Sequence, residues 1–145
     1  ISKYVDIVVI GNVDRKIKSK SIRYLGRMPH KDVLQVFSES WLAMFVLEAF
    51  PPCPNSVLEA IGYGIPVIGI DNGSLNEILK DPHLLLKSNI AWGDDINDLK
   101  IEDEDLHELL SHVRSNWSLI SKDMVNRSKK FNENDIFLEY VDFIS

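Results

Sequence analysis

The chain has 145 residues, 45% of them hydrophobic and 26% charged, which fits one soluble globular domain able to bury roughly 70% of its unfolded surface. A formal charge of −6 and an isoelectric point near 5.1 argue against a nucleic-acid binder. No apolar run reaches the ~18 residues of a membrane helix, and the first residues lack the basic-then-apolar pattern of a signal peptide.

In chain order, "VDIVVIG" from Val5 to Gly11 reads as a buried strand, β-branched and closed by glycine. "RKIKSKS" is a basic, solvated connection. "IRYLGRM", Ile22 to Met28, is a second strand, broken by Pro29. "KDVLQVFSES" sets Val33, Leu34, Val36 and Phe37 on one helical face. "WLAMFVLEAF" is a third strand, apolar nearly throughout. Strands apolar on both faces belong in parallel sheets covered by helices.

A short helix is predicted from about Ser56 to Tyr63. Gly64 stops it and Ile65-Pro66 cannot continue it. "PVIGI" is a fourth buried strand, and Asp71-Asn72-Gly73 makes a turn. Ser74 to Glu77 has capping-box spacing and opens another short helix, up to Lys80. "HLLL" at His83 is read as an edge strand, and "DDINDLKIEDEDL" as an acidic, solvated connection. Leu106, Leu109, Leu110, Val113, Trp117, Ile120, Met124 and Phe131 then recur at helical spacing, as a core-packing stripe. A closing helix carries Ile136, Phe137, Tyr140, Val141 and Ile144. Alternating strands and helices mean an α/β fold on a parallel, Rossmann-like sheet, with 1–145 as a single domain. Ligands bind outside the carboxyl ends of such strands. Gly11, Gly26, the Phe50–Asn55 loop and Asp71–Gly73 all fall there.

The stretch "FPPCPNSVLEAIGYGIPVIGIDNG" is the most constrained part of the chain. Its prolines fix the approach of the backbone to a helix start. The first amides of a helix lack internal partners and sit at the positive end of its dipole, so a phosphate gains hydrogen bonds there. Asn55 is a good N-cap that leaves the amides of Ser56, Val57 and Leu58 toward a ligand. Glu59 has two readings. Paired with Ser56 it completes a capping box. With the helix starting one residue earlier, at Asn55, it lies one turn in and can accept hydrogen bonds from the vicinal hydroxyls of a ribose.

Other signals are weaker. "HELLSH" from His107 puts Ser111 where a zinc-protease motif needs its second histidine. His30 and His83 read as surface residues. There is no Gly-x-Gly-x-x-Gly or Walker loop. The single cysteine, Cys53, excludes an internal disulfide, suits a reducing compartment and has no evident base beside it. The sequons at Asn116 and Asn126 read as chance.

"PCPNSVLEAIGYGIPVIGIDNG" closely resembles the signature of retaining glycosyltransferases of the GT-B fold, the group 1 or family 4 class. "VDIVVIGN", "IRYLGRMPHKDVLQVFSESWLAMFVL" and the tail "FNENDIFLEYVDF" resemble the other segments of the same half, so the likeness spans most of the chain. It implies the C-terminal, donor-binding half of a two-domain enzyme. Such an enzyme moves a sugar, with retention, from a nucleoside-diphosphate donor to a saccharide or lipid-linked acceptor. In that frame Glu59 holds the ribose, and Asn55, Ser56 and Val57 face the diphosphate. The Cys53 amide approaches the sugar, Gly26, Arg27 and Met28 meet the base, and Gly11 lines the floor. No metal or other cofactor is implied, nor a confident catalytic residue in this half. The resemblance also implies a cytoplasmic protein at the cytoplasmic face of a membrane, with peripheral association through its acceptor half.

Two positions depart from the pattern. Pro51 stands where the motif has its first glutamate. The leading strand, with its Gly-Arg and Lys pair, has no place in the order of elements, so it and the acceptor-binding half are expected outside this chain, which alone would be inactive. The alternative reading is a non-catalytic nucleotide- or partner-binding module on the same scaffold.

Overall fold

The computed structural model describes residues 2–14, 16–39, 43–46, 55–91, 94 and 98–131. The chain divides into two compact units, Ile1–Ser40 and Trp41–Ser145. The expected α/β class with parallel strands and flanking helices is what the described residues form.

The first unit holds β1 (Ile7–Ile10), β2 (Ile22–Gly26) and α1 (His30–Glu39). β1 and β2 run parallel, pairing Ile7 with Ile22, Val8 with Arg23 and Val9 with Tyr24. The register then slips, so that Ile10 faces Gly26. Both strands are shorter than the sequence suggests: β1 starts only at Ile7, and each strand closes at a glycine of positive φ, Gly11 at 117° and Gly26 at 73°. In α1 the stripe Val33, Leu34, Val36 and Phe37 is half-buried, as its spacing predicts.

The second unit holds β3 (Met44–Val46), α2 (Asn55–Gly62), β4 (Val67–Ile70), α3 (Leu75–Leu79), a 3-10 turn (Pro82–Leu84), β5 (Leu85–Leu86) and α4 (Asp103–Ser128). Its sheet is parallel in the order β3-β4-β5. The core lies here. Val57, Ala60, Ile61, Val67, Ile70, Leu75, Leu79, Leu84 and Met124 are wholly buried. The stripe on α4 is placed as expected: Leu106, Leu109, Val113, Ile120 and Met124 are buried, with Leu110, Trp117 and Phe131 half-buried.

Two glycines set the spacing of these layers. Gly64 ends α2 at φ 72°. Its amide donates to the Ile61 carbonyl at 3.0 Å, and the Ile65 amide donates to Ala60 at 2.9 Å. That is a Schellman closure. A Cβ on Gly64 would also sit 2.8 Å from Ser121 Oγ, so a side chain there would require Ser121 on α4 to shift. Gly69, inside β4, has the Val46 carbonyl oxygen and Leu75 Cδ1 each 2.8 Å from where a Cβ would stand. Its bareness lets α3 lie against the strand.

Four local expectations change. α2 begins at Asn55, so Asn55 is inside the helix rather than flanking it. The capping box at Ser74 does not form: Ser74 is already helical at φ −76°, ψ −12°, and its side chain makes no cap bond. A side-chain cap needs extended backbone at that position. α3 ends one residue early, at Leu79, because Lys80 turns left-handed at φ 48°. The predicted edge strand shrinks to Leu85–Leu86, since Pro82 to Leu84 close a 3-10 turn capped by Asp81. The tail helix and most of the third strand's predicted length lie outside the described residues.

Candidate functional site

In the second unit the carboxyl edge of the sheet includes the start of α2, which succeeds β3, and the turn that succeeds β4. α2 starts after β3 with Asn55 and Ser56 exposed and Val57 fully buried. The pattern comes from α2's amphipathic sequence, with Val57, Ala60 and Ile61 turned to the core. The first-turn amides of Asn55, Ser56 and Val57 therefore lie at the end of the helix that carries positive potential. Because Ser56 is within the helix, it cannot act as the N-cap of a capping box with Glu59. Glu59 is half-buried, one turn in from Asn55. Cys53 lies outside the described residues, as do Pro51, Pro52 and Pro54.

After β4 the chain turns through Asp71, Asn72 and Gly73. The Asp71 amide donates to the Leu86 carbonyl at 2.7 Å and the Asn72 amide to Ile70 at 2.8 Å. The Asp71 carboxylate accepts from the Asn76 side chain. Asn72 is the buried polar residue of this region, 8% exposed, and neither its Oδ1 nor its Nδ2 has a hydrogen-bond partner among the described residues. Buried amides in native proteins almost always find partners, and an unmet one costs about 1–3 kcal/mol. Sequence reasoning placed this turn at the ligand edge but read it only as a turn. The signal available was an amide two residues after a strand apolar on both faces.

In the first unit the parallel register brings Gly11 and Gly26 together, the Gly11 amide donating to the Gly26 carbonyl at 2.8 Å. No atom of the described residues lies within 4 Å of where a Cβ would stand on either glycine, so among them this strand end is open on that side. Arg27 comes next, exposed, and Met28 is half-buried. The expected residues thus fall into two groups, Gly11, Gly26, Arg27 and Met28 in one unit, and Asn55, Ser56, Val57 and Glu59 in the other.

A half-open cleft of about 290 Å³ lies elsewhere on the second unit, between β5 and α4. His83, Lys87, Asp105, Glu108 and His112 line it over Leu85 and Leu109, and none of the expected residues does. The His83 and His112 rings stand 5.3 Å apart, centroid to centroid. Among the described residues no three His, Cys, Asp or Glu side chains are grouped to hold a metal ion, and no helix is long and apolar enough to cross a membrane.

The sequence profile described as glycosyl transferases group 1 matches residues 2–113, which include both strand-end clusters. The chain belongs to the group 1 glycosyltransferases. No curated protein matches it significantly. Within this glycosyltransferase chain the match covers β1 through the first half of α4, so the open glycine ledge, the start of α2 and the Asn72 turn are all inside the family's shared region.

Proposed function

We propose that this chain is the donor-binding half of a retaining GT-B glycosyltransferase of the family 4 class, a hexosyltransferase acting on a saccharide or lipid-linked acceptor in polysaccharide biosynthesis. The observation that carries the reading is the start of α2 at Asn55, at the carboxyl edge of a parallel sheet, with Glu59 one turn along. That frame suits amides on a diphosphate and a carboxylate on two ribose hydroxyls. The first-turn dipole offers about 0.3–2 kcal/mol to the anion. Its greater use is in the transition state, where negative charge grows on the leaving diphosphate and fixed donors need no reorganisation.

The roles divide by unit. Asn55, Ser56, Val57 and the Cys53 amide serve the diphosphate and sugar, and Glu59 the ribose. Gly26, Arg27 and Met28 serve the base, beside a floor at Gly11. Asn72 adds a neutral amide that can both donate and accept, which matches sugar hydroxyls better than phosphate. Helix amides and a basic pair contributed by another part of the protein take the place of a metal, so no cofactor is required. The acceptor half is likewise contributed from outside these residues, and the protein works in the cytoplasm.

Titration calorimetry of the intact protein against UDP-, GDP- and ADP-sugars tests this. One nucleotide is expected to bind well. Glu59→Gln is expected to abolish turnover and weaken binding at least tenfold, with little change in melting temperature. Marked unfolding of Glu59→Gln with undiminished nucleotide affinity would show the acid to be structural only. One observation favours the non-catalytic alternative, namely Pro51 in the place of the motif's first acid. Tight nucleotide binding with no sugar transfer by the intact protein is its expected result.

A further inference from the structure

The two units differ in charge as well as in packing. Residues 1–40 carry eight Lys and Arg against four Asp and Glu, while the rest of the chain carries eight against eighteen. The acidic total of the protein therefore hides a basic first unit, net +4, joined to a second of net −10. Charge asymmetry of this kind points to an anionic partner on one side only.

The basic residues are concentrated in the connection between β1 and β2, where Arg15, Lys16, Lys18 and Lys20 fall within six residues. Lys16, Lys18 and Lys20 are exposed. Among the described residues no carboxylate pairs with Lys18 or Lys20. In their midst Ile17 is 66% exposed, the most exposed large apolar side chain among the described residues of the first unit. Its exposure is built in. The Ile17 amide donates to the Tyr24 hydroxyl at 2.9 Å, and that hydroxyl donates back to the Ile17 carbonyl at 3.4 Å. Lys16 Nζ stands 5.4 Å from the centroid of the same ring. The turn from Ser19 is fixed by its hydroxyl, which accepts from the Ser21 amide at 3.2 Å. A tyrosine in the middle of β2 thus clamps the loop by its backbone and leaves one isoleucine among lysines outside.

We propose that the Lys16–Lys20 loop is a docking surface for an anionic lipid bilayer, with Ile17 entering the headgroup layer and the lysines meeting the lipid charge. Lysines near an anionic surface each add to binding, and the attraction fades within a Debye length. A shallow apolar insertion adds to it and separates a bilayer from other polyanions. Phosphate backbones would reward the lysines and gain nothing from Ile17. The strongly acidic second unit is repelled by the same surface, so the charge asymmetry favours contact through the first unit.

Vesicle flotation of the full chain tests the assignment. Binding is expected to phosphatidylcholine vesicles that contain phosphatidylglycerol, not to pure phosphatidylcholine, and is expected to fall as salt is raised. Lys16→Glu, Lys18→Glu and Lys20→Glu together should reduce partitioning more than tenfold, and Ile17→Ser about three- to tenfold. Three reversals in the second unit, Lys100→Glu, Lys122→Glu and Lys130→Glu, control for net charge and should leave binding within about twofold. Circular dichroism of each variant is expected to match the parent, so that a loss of binding is not a loss of fold. Four results would overturn the proposal: no binding to anionic vesicles, equal binding to neutral ones, an unchanged Ile17→Ser variant, or binding of a short oligonucleotide in place of vesicles.

Discussion

β1 reads IVVI and β4 reads VIGI, nearly the same composition, yet the two strands end in different environments. Every residue of β4 is buried. In β1 none is, and Val8 remains 43% exposed. The difference lies in what surrounds them. β4 has a strand on each side, β3 and β5, and packs against α2 and α3. Among the described residues β1 has β2 alone in its sheet. A two-stranded ribbon is marginal by itself, since independent stability takes a third strand or packing against a helix. Burial is thus a property of neighbours, and identical side chains contribute different amounts in the two units.

The largest effect that could break this comparison is a truncation in each strand. Ile70→Ala in β4, at a wholly buried position, should cost about 2–5 kcal/mol. Val8→Ala in β1 should cost less than about 1 kcal/mol. Urea unfolding of the two variants measures both, and equal losses would mean that the first unit is as well covered as the second. Next comes Gly64→Ala. It combines a left-handed backbone with a Cβ 2.8 Å from Ser121 Oγ, and about 2–4 kcal/mol should be lost. Gly26→Ala shares the positive φ but meets open space, so its loss should be the smaller of the two in the same assay.

Asn72→Leu sharpens the picture at the site. Removing a buried amide that has no partner should leave stability unchanged or raise it by about 1 kcal/mol. If the amide serves sugar hydroxyls, donor affinity should fall in calorimetry while the melting temperature does not. A clear loss of stability would instead mean that Asn72 is bonded within the fold, through ordered water. The smallest effect is expected at Leu119, 70% exposed on α4. Leu119→Ser should shift the unfolding free energy by no more than about 0.5 kcal/mol.

Much of this was legible in residue order. The short β-branched runs closed by glycine, the helical stripe from Leu106 to Met124 and the stop at Gly64 each rest on local rules; the stripe and the stop are found where those rules put them, and the strands are found shorter. The first turn of α2 was legible only to within one residue. Asn55 and Ser56 are both good caps, and the choice between them decides whether Glu59 belongs to a capping box. Ser74 shows the opposite limit. Its spacing to Glu77 is that of a capping box, but the tight turn from Asp71 already holds its backbone helical, so the hydroxyl has no cap geometry to adopt.

What the sequence determined by itself is the alternation of strands and helices, the family, and which loops lie at the carboxyl ends of the strands, because periodicity and glycine placement are encoded within a few residues. Tertiary structure alone decided the pairing of Gly11 with Gly26, the closeness of α4 to Gly64, the unmet amide of Asn72 and the clamp of Tyr24 on Ile17. Each of these joins residues that lie apart in the chain or depends on what packs around one of them, and no local pattern carries the distance between groups that only folding brings together.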